Sequence, residues 1–275
     1  MKLPSLTLEI VHRLLRPRKA DSHKGNYGHA LLIAGSAGRM GAAVIAAKAC
    51  LRSGTGLLTV IVPEKERYVL QATVPEAMLS MREEAHDSKQ FSAIGIGPAI
   101  GTDTAAAETL KKIFSEYKIP VLLDADALTV VAKNINLMNS IPAGTVITPH
   151  PKEFDRLFGA HAGEKERRIT AWKMAKEINM IIVLKGHRTL ITDGKKSFIN
   201  KTGNAGLAKG GSGDALTGII TAFLAQGYEP LDAACLGVYI HGLAADIALK
   251  TQSPESMLIT DVIECLGKAF KIINK

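Results

Sequence analysis

Apolar positions along the chain fall into two alternating kinds of run. One kind is short, almost free of polar residues, and closed by glycine, proline or aspartate. Runs of this type suit strands buried on both faces of a parallel sheet. Strands are therefore expected over 29–34, 57–62, 92–97, 120–124, 144–148 and 181–185, with a weaker one over 75–80 before a polar stretch at 82–89. In the other kind, apolar residues recur every three or four positions, the period of a helix with one buried face. Helices are expected over 6–15 (with Thr7 as its cap), 42–53, 104–117, 127–133 and 164–178, then three in succession over 215–226, 231–249 and 259–273. Residues 188–192 and 196–200 flank Asp193-Gly194, the signal of a hairpin turn.

Alternation of strand and helix over nearly the whole length predicts an α/β fold, a mostly parallel doubly wound sheet with helices on both faces. Neither linker, repeat nor low-complexity tract interrupts the pattern, so residues 1–275 read as one domain. Hydrophobic residues at 47% and charged residues at 22% allow a substantial core. Aromatics at 5% leave little material for stacking nucleic-acid bases. The net charge of +8 favours anionic ligands, but it is scattered, and its densest run, from Arg13 to Lys24, lies in a polar connector. Nucleic acid is therefore not an expected partner. Cys50, Cys235 and Cys265 stand far apart in apolar helical patterns and read as reduced core residues. There is no secretory signal core and no run of the ~18 apolar residues a membrane span needs, so a cytoplasmic protein without a membrane partner is expected.

In such sheets, ligands gather outside the carboxyl ends of the strands. The loops expected there are rich in glycine and functional groups: 35–41, 97–101, 124–126, 150–153, 185–189 and 210–214. The densest is Gly210-Gly-Ser-Gly-Asp214, which runs straight into an apolar helical pattern. Glycines let backbone N–H groups approach a ligand, and a helix start adds a partial positive charge, which together make a phosphate site. Asp214 at the junction can accept a proton, so the pair suggests phosphoryl transfer.

The other loops leave alternatives open. Gly35, Gly38 and Gly41 have a spacing close to, but not that of, a dinucleotide fingerprint, and Glu64 could then hold a ribose, as in a hydride-transferring dehydrogenase. Equally, these glycines serve tight helix–sheet packing. Asp124 and Asp126 either reach a magnesium ion, directly or through water, or Asp126 caps helix 127–133. His150 lies between two prolines with few helix contacts to satisfy, which favours a ligand role. Glu153 either orients water around a metal or sits at a helix N-terminus. Lys185, Gly186, His187, Arg188 and Thr189 place three potential cations and a hydroxyl together, either for a nucleotide or as a solvated turn. His12, His23, His29, His86, His161 and His241 show no paired spacing and receive no role.

Several of these stretches together are similar to one family. Gly210-Gly-Ser-Gly-Asp214 resembles the signature of the ribokinase-like superfamily, whose three-layer α/β/α fold has glycines as an anion hole and an aspartate as base. Lys24-Gly-Asn-Tyr-Gly28 leading to Gly35-Ser-Ala-Gly38, Leu123-Asp-Ala-Asp-Ala-Leu128, Thr148-Pro-His-Pro-Lys-Glu153 and Asn204-Ala-Gly-Leu-Ala-Lys-Gly210 narrow the resemblance to the ADP- or ATP-dependent NAD(P)H-hydrate dehydratases. Small-molecule kinases of the superfamily commonly carry asparagine where this chain has His150.

The resemblance implies restoration of NADH or NADPH from their hydrates (NADHX and NADPHX), driven by hydrolysis of ADP or ATP with Mg²⁺, magnesium. It implies Asp214 as base. Gly41, Ala42, Ala43, Gly97, Gly101, His150 and Asp214 would contact the hydrate. Lys185, Gly186, His187, Arg188, Thr189, Asn204, Gly210, Gly211, Ser212 and Gly213 would hold the nucleotide, with Asp124 and Glu153 near the metal. It further implies a homo-oligomer, with a tetramer favoured. Family members are often fused to an epimerase domain; the stretch before Lys24 is too short for one, so a separate epimerase is the expected functional partner. The rival readings are a vitamin-precursor kinase of the same fold and a nucleotide-binding regulator without catalysis.

Overall fold

A computed structural model describes residues 3–82, 84 and 88–275. The polar stretch expected at 82–89 falls in part on residues 83 and 85–87, which lie outside the described residues, as does His86.

Among the described residues, nine strands form one sheet: β1 (His29–Ile33), β2 (Leu57–Val62), β3 (Met78–Met81), β4 (Ala93–Ile96), β5 (Val121–Leu123), β6 (Val146–Ile147), β7 (Ile181–Leu184), β8 (Leu190–Thr192) and β9 (Ser197–Ile199). Their order is β3-β2-β1-β4-β5-β6-β7-β8-β9. Every pairing from β3 to β7 is parallel, and the β7–β8 and β8–β9 pairings are antiparallel. The chain winds outward from β1 to β3, returns to β4 on the other side of β1, and continues from there. The expected hairpin around Asp193-Gly194 is the β8–β9 pair.

The helices are α1 (Leu8–Leu14), α2 (Met40–Arg52), α3 (Arg67–Thr73), α4 (Thr104–Glu116), α5 (Ala125–Lys133), α6 (Ile135–Ser140), α7 (Pro151–Phe158), α8 (Glu164–Glu177), α9 (Ser212–Ala225), α10 (Pro230–Ala248) and α11 (Ile259–Ile273). The period-two geometry of strands divides the core in two. Leu32, Val60 and Val62 pack with α2, α9, α10 and α11 on one face. Leu31, Ile33 and Ile61 pack with α4, α5, α7 and α8 on the other. Thr7 caps α1 as expected, its hydroxyl accepting from Ile10 N at 3.4 Å. Cys50, Cys235 and Cys265 are buried and free.

The close approach of α2 and α9 needs a glycine. A Cβ at Gly218 would lie 2.1 Å from the Ala46 carbonyl oxygen. One expectation is corrected here: α10 is long and apolar enough to cross a membrane by length and composition. In the fold, however, 78% of that span is buried, where α10 packs against α9 and α11.

Candidate active site

A cavity of about 750 Å³ opens where the loops after β5, β6 and β7 meet the start of α9. Asp124, His150, Glu153, Lys185, Gly213 and Asp214 are among its walls, with Ala205, Leu207, Leu216 and Val238 as apolar lining. In a parallel sheet the strand ends that feed these loops share one edge, so residues 61 or more apart in sequence converge there.

The start of α9 is built by Gly211. This residue is the N-cap, with φ at 90°, a conformation that disfavours side chains, and an added Cβ would lie 2.7 Å from Ile45 Cδ1. The helix begins at Ser212, three residues earlier than the apolar pattern indicates, so Asp214 lies within the first turn, beside the free N–H groups. Burial, then the charge of Asp124, raises the Asp214 pKa to about 6, against the opposing effect of Lys185. The carboxylate is thus poised as a base near neutrality.

Asp124 is buried, and both its oxygens accept hydrogen bonds. Oδ1 takes one from Lys185 Nζ at 2.7 Å and Oδ2 takes one from the Thr217 hydroxyl at 2.9 Å. Lys185 Nζ is also 3.9 Å from Glu153 Oε2. Burial disfavours the charged form of Lys185, but Asp124 and Glu153 outweigh it and hold the ammonium above the usual lysine range.

His150 corrects one expectation. It has helix contacts to satisfy: it is the N-cap of α7, and its Nδ1 accepts from Lys152 N at 3.1 Å and Glu153 N at 3.2 Å. Glu153 Oε2 accepts from His150 N at 2.8 Å, completing a capping box. The imidazole still borders the cavity and is 45% exposed, with Nε2 3.4 Å from Glu153 Oε1. Asp126 is also corrected. It does not cap a helix starting at 127, because α5 begins at Ala125, and its Oδ2 accepts from Gly101 N at 2.9 Å and pairs with Arg39 at 3.6 Å.

A matching family model, described as NAD(P)H-hydrate dehydratase, covers residues 30–268. The chain belongs to the NAD(P)H-hydrate dehydratase family. It is 35% identical over 280 residues to the ADP-dependent (S)-NAD(P)H-hydrate dehydratase of Bacillus subtilis, covering 98% of this chain and 99% of that one. The bifunctional NAD(P)H-hydrate repair enzyme of Vibrio cholerae is 38% identical over 267 residues, covering 95% of this chain and 53% of that protein. The chain thus spans about half the length of such bifunctional relatives. Among solved structures, the B. subtilis ADP/ATP-dependent NAD(P)H-hydrate dehydratase, co-crystallised with ATP and Mg²⁺, superposes with a TM-score of 0.90 at 34% identity, covering 99% of both chains. A hydroxyethylthiazole kinase from Pyrococcus horikoshii, at 19% identity and a TM-score of 0.64, shares the fold alone.

Family membership removes the dehydrogenase reading. Glu64 is an exposed residue paired with Arg67 at 3.6 Å, and Gly41 lies inside the first turn of α2. The structure brings Lys185, Gly186, His187, Thr189, Asn204, Ser212 and Gly213 to the dehydratase-family cavity together with Asp124, Asp214, His150 and Glu153. Arg188, Gly210 and Gly211 do not line it; the Arg188 carbonyl accepts from Arg168 at 3.1 Å. Gly41, Ala42, Ala43, Gly97 and Gly101 do not line it either. Gly101 N donates to Asp126, and Gly35 N donates to Pro98 O at 2.8 Å, which joins the loop after β1 to the loop after β4.

Some site residues escaped the sequence reading. Thr217 is fully buried and holds Asp124, while Asp246 accepts from Gly203 N at 2.9 Å and Asn204 Nδ2 at 3.1 Å, anchoring the loop before α9. The available signal was a polar residue inside an otherwise apolar helical run, since such groups need partners when buried.

Proposed function

We propose that the protein, acting as a single catalytic domain, dehydrates the hydrates of NADH and NADPH at the expense of ADP or ATP. The observation that carries this reading is Asp214 in the first turn of α9, at a glycine-built helix start and in one cavity with His150, Lys185, Gly186, His187 and Thr189. Membership of the dehydratase family supports it.

In the proposed sequence Asp214 takes the proton of the hydroxyl on C6 of the hydrated nicotinamide ring. That oxygen forms a bond to the terminal phosphorus, and the bond from phosphorus to the bridging oxygen breaks, releasing AMP from ADP or ADP from ATP. The N–H groups of residues 211–213 stabilise the charge on the phosphoryl oxygens. Phosphate leaves more readily than hydroxide. The ring nitrogen's lone pair expels it with cleavage of the C6–O bond, and loss of the C5 proton restores the reduced cofactor.

Lys185, Gly186, His187, Arg188, Thr189, Asn204 and Gly210 to Gly213 are proposed to hold the nucleotide. Gly41 to Ala43, Gly97, Gly101 and His150 are proposed for the hydrate. Asp124 and Glu153 are already engaged by Lys185, Thr217 and His150. Among the described residues no group of three or more His, Cys, Asp or Glu could hold a metal. This donor set fits a magnesium ion carried mainly by phosphates and reached by these carboxylates through water, not a closed protein cage. Bound there, the ion would neutralise phosphate charge.

A homo-oligomer, with a tetramer favoured, belongs to the same proposal. Exposed Tyr68, Val69 and Met78 beside edge strand β3 supply apolar surface for it. Pairing with an epimerase rests on the family resemblance, and the bifunctional name of longer relatives fits an accompanying second activity. The free, buried cysteines suit a reducing, cytoplasmic setting.

The test is to incubate the protein with hydrated NADH, Mg²⁺ and either ADP or ATP while following near-ultraviolet absorbance. Appearance of the reduced chromophore with release of inorganic phosphate supports the reading. A stable phosphorylated product without the chromophore would favour the small-molecule kinase.

A further inference from the structure

One buried titratable group beside the cavity has no part in the chemistry above. His241 lies on α10 and is 7% exposed. Its Nε2 is buried without a hydrogen-bond partner. Burial, with a smaller effect from Lys185, lowers its pKa to about 4, so near neutral pH the ring is uncharged and offers one donor and one acceptor nitrogen.

The wall that carries it is firmly held. The Thr202 hydroxyl donates to Tyr239 O at 3.0 Å, and Asp246 binds Gly203 and Asn204, so α10 and the loop before α9 are locked together. Neighbouring polar groups are already satisfied. Asn200 Nδ2 donates to Thr202 O and Oγ1 at 3.1 and 3.0 Å, and Lys185 is engaged by Asp124. His241 therefore adds an unpartnered ring nitrogen to a cavity lining that also includes the apolar Leu207, Leu216 and Val238.

A buried ring nitrogen left unpaired is costly, and an apolar residue of similar size would fill the space without that cost. An apolar slot with an isolated neutral hydrogen-bonding edge is the environment that recognises a planar heterocycle. The phosphate cradle opens into the same cavity, so a nucleotide bound there by its phosphates carries its base along these walls.

We propose that His241 reads the base of the nucleotide co-substrate, its ring nitrogen hydrogen-bonding the edge of adenine that bears the exocyclic amine, and so favours adenine over 6-oxopurine nucleotides. This rests on the reading of the cavity as the nucleotide site. With the acceptor nitrogen of the ring turned to the base, a 6-oxopurine, which replaces the amine donor with an acceptor, is mismatched.

Calorimetric titration of ADP and IDP, each with Mg²⁺, into the wild type, His241→Phe and His241→Gln tests it. The wild type should bind ADP roughly tenfold more tightly than IDP. His241→Phe should lose most of that ratio by weakening ADP, with its melting temperature retained, and His241→Gln should recover part of it. Equal affinities in the wild type overturn the proposal, as does an unchanged ratio in His241→Phe or a failure to bind either nucleotide. Should His241→Phe not fold, the wild-type ratio and its decrease in His241→Gln decide, and an undiminished ratio there also overturns it. Because the readout is binding, a protein that binds ADP selectively but never dehydrates the hydrate sinks the proposed reaction and leaves this assignment standing.

Discussion

Replacing Lys185 with methionine removes the ammonium held by Asp124 and Glu153 while keeping most of the apolar stem. The Asp124 side chain is 2% exposed and that of Lys185 is 21% exposed, so the 2.7 Å pair is largely shielded from water. Removing one member of such a pair costs about 3–5 kcal/mol, because the surviving charge stays buried. Asp124 keeps the Thr217 hydroxyl at 2.9 Å, which places the expected loss at the lower end, about 3 kcal/mol. In a domain of this size that lowers the melting temperature by about 6–12 °C. The same change acts on the base. Lys185 opposes the burial and the Asp124 charge that together bring Asp214 to about 6, so without it Asp214 titrates higher. Since the carboxylate form must take the proton, the acid limb of the kcat/KM profile moves to higher pH. Combining Lys185→Met with Asp124→Asn removes the orphaned charge and recovers most of the stability. Thermal unfolding of the wild type and the two variants, with the wild-type and Lys185→Met pH profiles, measures both effects. A stability loss below about 1 kcal/mol, the range of an exposed pair, together with an unmoved acid limb, would refute the reasoning.

Asp214→Asn should abolish turnover while leaving nucleotide binding largely intact, and full activity in that variant would sink the base assignment. Its stability carries a sign: the folded pKa of about 6 lies above the ordinary 3.8, so this group favours folding below 3.8, and the contribution fades as pH rises through 6. Above that pH, Asp214→Asn should be more stable than wild type by at most about 3 kcal/mol in unfolding measurements, and a lower stability there contradicts the shift. The wild-type kcat/KM should fall about tenfold per pH unit below an inflection near 6; a flat acid limb argues against Asp214 as base. His150→Ala should lose a cap worth about 1 kcal/mol and raise KM for the hydrate, whereas His150→Asn keeps a capping side chain, so an unchanged KM in the asparagine variant removes the imidazole from the substrate site. Gly218→Ala should destabilise the fold by more than about 2 kcal/mol, read from denaturant unfolding, because its Cβ would sit 2.1 Å from Ala46 O; an unaltered midpoint would mean that α2 and α9 shift apart freely.

Strands were legible where nearly every residue of a run is buried. Residues 57–62 form β2 with the bounds their apolar pattern indicates, since a strand covered on both faces excludes polar residues almost completely. Two short helices were not. α3 buries only Leu70 and α6 only Leu137, so neither repeats an apolar position often enough to show a period. The start of α9 was placed too late because glycine disfavours helix, yet packing of the helix against α2, β1 and β4 carries residues 212–214 into its first turn. The glycine-rich loop and Asp214 were visible as a local string. Lys185 on Asp124 was not, because 61 residues separate the pair and only the parallel sheet brings their strand ends together. For His150, Glu153 three positions on was a readable capping-box signal, but histidine is an uncommon cap and its position between prolines suggested an unattached ring.

The cavity's chemistry follows from how a parallel sheet orients its crossovers. Helices that leave strand ends start at the same edge, so α5 and α9, whose starts have no side-chain cap, bring N–H groups to one place, while those of α7 are taken by His150. That local field, more than the scattered net charge of +8, is what an anion at this edge would meet. The side chains oppose it: Asp124, Glu153 and Asp214 share the cavity, and Lys185 lies against the first two. An edge that attracted phosphate without these carboxylates would lack a base. One in which Asp124 were uncompensated would hold Asp214 protonated to a higher pH, since the Asp124 charge raises its pKa and Lys185 lowers it. Lys185 is therefore best understood as the group that lets a buried aspartate sit beside Asp214 without holding it protonated, and under the proposed reaction this loop lysine after β7 would serve both the nucleotide and the base.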